Sequence, residues 1–363
     1  MGLSSRHLVS NRLRALLVST VALGLLAASG CASGDSSQAS SGTDGETTAS
    51  TPAASSSAAP SSKPPPPAEV GANELGKIPI LMYHRITPDP KSVYDRTPEA
   101  FRAELRRLAE ENYVPITTAD YATGRIDTPA GTHPVVLTFD DASTSQFRLD
   151  SSGEPAANTA VAIMREVAAQ HPGFRATASF YITTPPFGGN DVAQSLRWLH
   201  EHGFELGNHT LDHPTLSSES PSEVRHQIAG LRRRITEATP DAEVSTIALP
   251  HGVHPDREEL ARSGESEGVR YEHDAVLLVG ARPAPAPFTR RFDPLNVPRI
   301  RSQGGSGDSA KFGSTVWLDK LAANPSARYT SDGDPDVISY PSDSSRKPSK
   351  RYAERAESYQ PRE

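Results

Sequence analysis

The chain has 363 residues, with 37 Lys plus Arg against 44 Asp plus Glu and a formal net charge of -7. That balance argues against a nucleic-acid partner, because phosphate binding favours a basic face. Thirty-two prolines and an aromatic content of 6% point to long irregular stretches around a smaller core.

Read in chain order, residues 1–30 look like a secretory signal. Arg6, Arg12 and Arg14 form a positive start, an apolar run from Ala15 to Ala28 follows, and Ser29-Gly30 lead into Cys31. The apolar run is too short for a membrane span. Cys31 is the only cysteine, so no internal disulfide can form. AASGC resembles the bacterial lipoprotein signal, with Ala28 where leucine is usual, and this implies a lipid on Cys31 that holds the protein on the outer face of the cell membrane. An ordinary secreted protein with a free cysteine is the alternative. Residues 32–69 lack Val, Ile, Leu, Met and aromatics and cannot bury enough apolar surface to fold, so 31–76 is expected to be a disordered Ser/Ala/Pro-rich tether.

From Lys77 to Tyr340 strand-like and helix-like runs alternate. Strands are expected at 78–84, 113–117, 133–139, 176–182, 204–209, 245–250, 274–280 and 296–302. Helices are expected at 97–112, where Thr97 is an N-cap and Pro98 opens the first turn, and at 156–169, 191–203, 221–238 and 316–323. The alternation implies a parallel α/β fold over 77–340. The polar stretch 341–363 is expected to be a flexible tail.

In parallel α/β folds, sites gather at the C-terminal ends of strands. His84, Asp140-Asp141, His209 and Pro250-His251-Gly252 all fall at such ends. His209 and His213 are four residues apart, so one helical turn brings them to one side. With one aspartate they would form the three-ligand set that zinc uses in catalytic sites, leaving the other aspartate free as a base. Taken alone, Asp140-Asp141 can equally cap a following helix, and the two histidines can be loop residues beside Pro214.

TFDD at 138–141 together with HTLDH at 209–213 resembles the polysaccharide deacetylases, the NodB-homology carbohydrate esterases. The resemblance implies a distorted (β/α) barrel of about seven strands and removal of N-acetyl groups from an extracellular N-acetylhexosamine polymer. Peptidoglycan, a chitin-like polymer and poly-N-acetylglucosamine are the substrates considered. It further implies Asp140 as base, Asp141, His209 and His213 as ligands of a divalent metal, with zinc expected, and supporting places for Thr210, Pro250 and Gly252. IPILMYHRI at 78–86 resembles the opening strand of the exopolysaccharide poly-N-acetylglucosamine deacetylase branch, which makes His84 the candidate general acid.

Three departures bear on activity. Residues 248–252 read ALPHG, with Ala248 where the family has the arginine that steadies the base and His251 where it has an aromatic. The late L-x-H motif is missing. Ala142 stands in place of the usual glycine after the aspartates. Two other readings therefore stay open: a catalytically impaired glycan-binding lipoprotein, and an O-acetyl esterase on an acetylated polysaccharide. The stretch 142–175 is read as an insertion over the pocket.

Overall fold

The computed structural model describes residues 64–362, apart from residue 308. The signal segment, Cys31 and the tether up to residue 63 lie outside the described residues.

Eight strands form one parallel sheet: β1 Ile80–Tyr83, β2 Tyr113–Ile116, β3 His133–Phe139, β4 Ser179–Ile182, β5 Glu205–Asn208, β6 Thr246–Ala248, β7 Ala275–Leu277 and β8 Ile300–Arg301. Seven run in the order β7-β6-β5-β4-β3-β1-β8, and β2 pairs with the first half of β3. The run into β8 bridges the two edges of the curled sheet. Val297 donates to the Val276 carbonyl at 3.0 Å and accepts from Leu278 at 2.9 Å, and three residues later Ile300 pairs with Leu81 of β1. The alternation of strands and helices implied this parallel sheet, and the resemblance implied its closing into a distorted barrel.

The pattern in β3 explains how the sheet sits. Val135, Leu137 and Phe139 pack outward with Phe101, Leu105 and Leu108 of helix α1 (Pro98–Glu110) and with Ile163 and Val167 of α2 (Ala160–Gln170). Val136 belongs to a separate cluster with Ile80, Tyr181 and Ala248. Side chains alternate along a strand, so Thr138 and Asp140 share the inward face of Val136. Burying a Leu or Phe stabilises by roughly 1.5–3 kcal/mol, which fixes this register and thereby the direction of Asp140. Helix α1 starts as expected, with Thr97 Oγ1 accepting from the Ala100 N–H at 3.1 Å. It stops at Glu110, and Asn112 at φ +59 turns the chain into β2.

Two expected boundaries need correction. The segment 341–362 is not a loose tail. Ile338–Pro341 pairs in parallel with Ala356–Tyr359, Tyr352 is buried against Phe288, and the Tyr359 hydroxyl donates to the Ala72 carbonyl at 2.7 Å. That last contact also moves the start of the folded part. Ala72 and Leu75 are fully buried and Asn73 bridges to Thr330, so the end of the expected tether is part of the domain. Composition misleads at both places because a polar segment needs only a few aromatic anchors to be held on a barrel already formed. The 142–175 stretch is likewise built in: α2 packs on α1, with Arg102 forked onto Glu166 at 3.0 Å.

Candidate active site and metal centre

β3 ends and Asp140 follows, its N–H donating to the Tyr83 carbonyl at 3.0 Å. Asp140 is 2% exposed and its side chain faces Arg299, which is fully buried. The pairing is bidentate: Nη1 to Oδ1 at 2.7 Å and Nη2 to Oδ2 at 2.7 Å. Arg299 also donates from Nε to the Leu278 carbonyl at 3.0 Å and from Nη1 to Thr138 Oγ1 at 3.2 Å, with its guanidinium 5.8 Å from the Tyr181 ring centre. Burial alone would raise the Asp140 pKa. The charges of Arg299 and then His209 outweigh burial and hold the carboxyl far below the usual carboxylate range.

This corrects one expectation. Ala248 does stand where the arginine was looked for, but a guanidinium reaches the aspartate from the strand that bridges the barrel edges. The sequence reading missed Arg299. Its one signal was an arginine at an alternating position inside the short apolar run VPRIR, where an unpaired charge would be costly.

After Asp140 the backbone turns sharply. Asp141 has φ +75 and Ala142 φ +48, a left-handed conformation that favours glycine. The turn swings Asp141 to the opening, its side chain 43% exposed, where Oδ1 lies 3.5 Å from His209 Nε2 and 3.7 Å from His213 Nε2. One donor atom from each of the three residues lies within 4.8 Å of the others. The His209 and His213 ring centres are 4.8 Å apart.

His209 ends β5 and is buried. Its Nδ1 lies 2.7 Å from the Ala248 carbonyl. A carbonyl only accepts, so Nδ1 carries a hydrogen, and Nε2 is the ring nitrogen turned toward Asp141. The residue in the expected arginine position thus contributes through its backbone, as the partner that fixes the ring of a candidate ligand. Burial lowers the His209 pKa, but Asp140 and Asp141 outweigh it and the net shift is upward. A pocket that favours a proton on His209 through two carboxylates also favours a divalent cation, so charge and donor set both fit a metal.

The turn after β5 is tied from several sides. Thr210 (φ +66) donates its N–H to Asn208 Oδ1 at 2.9 Å, and Asn208 donates to the Ile228 carbonyl at 2.9 Å. Asp212, which the motif left without a role, is held by the Gln227 side chain at 2.9 and 3.0 Å. Gln227 lies on the helix Pro221–Ala238, so the turn is anchored to a rigid element. His213 (φ +56) stands edge-on to His251, their ring centres 4.7 Å apart. Pro250 is buried. Gly252 has φ +68, and a Cβ there would come within 2.6 Å of the Val279 nitrogen.

His84 ends β1 at the same end of the barrel. Its ring packs against Tyr94 at 4.9 Å, and its buried Nδ1 has no hydrogen-bond partner. Burial lowers its pKa, with Asp140 and Asp141 pulling in the opposite direction. A further residue absent from the motif reading is Gln146, whose amide donates to the His84 carbonyl at 2.9 Å and also to the Asp140 carbonyl, tying the two strand ends together.

Residues 127–264 match the family model described as polysaccharide deacetylase. The match takes in Asp140, Asp141, His209 and His213, and leaves out His84 and Arg299. A chitooligosaccharide deacetylase of Sinorhizobium fredii is 30% identical over 126 residues, 35% of this chain and 50% of that protein. One from a Bradyrhizobium species is 30% identical over 127 residues, 34% of this chain and 48% of that protein. The chain spans about half the length of the curated relatives it matches. Among solved structures, a Streptococcus pyogenes deacetylase, PplD, in complex with acetate shares 20% identity over 62% of this chain and 92% of that one, with a TM-score of 0.49. The match over 127–264 carries both aspartates and both histidines, so over these residues the chain is similar to the polysaccharide deacetylases.

Proposed function

We propose that the protein is a metal-dependent hydrolase that removes N-acetyl groups from an N-acetylhexosamine polymer outside the cell. The observation that carries this reading is the convergence of Asp141, His209 and His213 beside an aspartate locked to a buried arginine. Asp141 Oδ1 and the Nε2 atoms of His209 and His213 would hold the cation, with zinc as the ion. When bound, a divalent cation supplies Lewis acidity toward an acetyl carbonyl oxygen and lowers the pKa of water.

The chain's own groups do the rest. Asp140, charged and held by the Arg299 fork, receives the proton as water attacks the carbonyl carbon. His84, across the mouth, delivers a proton to the departing amine. The products are acetate and a free amino sugar. The reading of a binding-only protein rested on the missing arginine and the missing late histidine motif; Arg299 meets the first ground, and the second is met only by the role proposed here for His84. Attachment to the outer face of the membrane through Cys31 remains part of the proposal on the strength of the sequence.

The test is acetate release by the purified, metal-loaded protein from chitooligosaccharide, peptidoglycan and poly-N-acetylglucosamine, with metal content measured in the same samples. Release from at least one, lost on chelation and restored by zinc, is expected. Zinc bound with no acetate from any of the three, and release from an O-acetylated xylan instead, would replace amide with ester chemistry.

A further inference from the structure

At a distance in the fold from the mouth, the chain builds a pocket of about 390 Å³. Six cationic side chains line it: Lys77, Arg282, Arg290, Arg291, Arg346 and Lys347. No carboxylate lines it, in a protein whose acids outnumber its bases by 44 to 37. Among the described residues, none of the six lies within 4.0 Å of a carboxylate oxygen, whereas Arg85, Arg102, Arg107, Arg165, Arg233 and Arg299 each do.

The cradle is assembled and held. Lys77 pairs through its backbone with Pro285, which sets the first segment against the second. Thr289 bridges to Pro348, and Arg290 donates its N–H to the Lys347 carbonyl at 3.3 Å, which sets the second against the third. The Arg346 guanidinium is fastened to the Ser326 carbonyl at 2.8 Å, and Arg290 Nε to the Pro348 carbonyl at 3.2 Å. Leu75, Pro283 and Pro285 supply an apolar wall. Lys77 precedes β1, while the catalytic groups follow the ends of β1, β3 and β5, so this pocket is separate from the metal centre.

Like charges gathered around a concavity repel one another. Burial, and then Arg346, Arg282 and Arg291, lower the Lys77 pKa, and burial and Arg291 lower that of Arg346. An anion would relieve that repulsion, and low-dielectric walls concentrate the field on it. A lone carboxylate would leave most of six positive charges uncompensated. A phosphate ester carries more charge on three or more acceptor oxygens, matches the forked guanidinium, and brings an organic body for the apolar wall.

We propose that this pocket is a binding site for a phosphate ester, distinct from the deacetylase centre and independent of the activity proposed above. The phosphate can come from a soluble phosphorylated glycan or polyol, or from a phospholipid head group.

The experiment uses the full chain at low ionic strength. Glycerol 3-phosphate and inorganic phosphate are titrated by calorimetry, with acetate and glycerol as comparators. The double variant R282Q/R291Q removes two exposed cations that make no hydrogen bond in the pocket, so its unfolding midpoint and acetate release should equal those of the wild type. The phosphate ester should bind, at least tenfold more tightly than acetate, and weaken at least tenfold in the double variant and with added salt. Co-sedimentation then assigns the source: retention on vesicles containing phosphatidylglycerol but not on phosphatidylcholine alone indicates a lipid, and retention by soluble poly(glycerol phosphate) indicates a polymer. Absence of phosphate-ester binding, equal binding of acetate, or binding unchanged in R282Q/R291Q overturns the proposal.

Discussion

The two sides of Asp140 are built by different rules. On the opening side, Asp141, His209 and His213 come from two short motifs, and a turn of a few residues places each group. On the interior side, the partner is Arg299, from the far edge of the barrel, and nothing local links the two. The first arrangement depends on backbone turns, the second on closure of the whole sheet. The lesson is that a candidate ligand set can be carried by short motifs, while the charge that faces the neighbouring aspartate can come from any strand whose inward position points to the same place.

The difference gives graded ways to break the site. The largest effect on activity is expected from Asp141→Ala or His209→Ala, which remove a ligand without opening the barrel. Metal content and acetate release should both fall to background while the unfolding midpoint changes little. Normal activity in either variant would sink the ligand assignment.

On the interior side the effect should fall on stability as well. Arg299→Met leaves Asp140 buried without its partner, and breaking a buried pair costs about 3–5 kcal/mol. Arg299→Lys keeps the charge but loses the two-pronged geometry, so it should restore only part of the stability and activity. Denaturant unfolding of the two variants, followed by the activity of the folded fraction, separates the roles. An Arg299→Met protein as stable as the wild type would mean that the fork does not hold the edges together.

Next in size is a dependence on pH that does not involve the metal centre. His133 and His273 are buried, each bonded through Nδ1 to a carbonyl, and burial lowers both pKa values to about 4. The folded state therefore binds fewer protons than the unfolded chain, whose histidines titrate near about 6.5. Their contribution to stability is present above that value and is lost as pH falls toward 4. Glu74 works in the opposite sense. Burial and Asp332 raise its pKa to about 8, so its contribution is full below the unfolded value and is lost as pH rises through about 8. The unfolding midpoint should fall on acidification below about 6.5, and Glu74→Gln should steepen that fall. A flat profile between pH 4 and 6.5 in the Glu74→Gln protein would contradict the two histidine shifts.

The smallest effect is expected at Ala142, where a left-handed residue occupies the place usual for glycine. Ala142→Gly removes steric strain and adds freedom to the unfolded chain. These opposing terms are each about 0.5–2 kcal/mol, so the net change should be within about 1 kcal/mol. A large loss would show that the buried Ala142 methyl, rather than the turn, holds Asp141 in place.

Much of the barrel was legible because its strands are apolar runs separated by amphipathic helices, one with a clear cap at Thr97. The ends of the domain were not. Their anchors are isolated residues such as Leu75, Tyr352 and Tyr359, whose partners lie far away in the chain. In the site, the residues that converge, Asp141, His209 and His213, were legible, and so was the place of His84 at a strand end. Gln146 and the Ala248 carbonyl were not, since a glutamine in a loop and a backbone oxygen carry no motif.

The sequence by itself determined the alternation that makes a parallel barrel, and it determined which side chains end its strands, because periodicity and turn chemistry act over a few residues. Only the tertiary structure decided which charge meets Asp140, which carbonyl orients His209, and where six unpaired cations converge. Those are matters of through-space electrostatics and hydrogen bonding between segments that become neighbours only when the sheet curls and its edges meet.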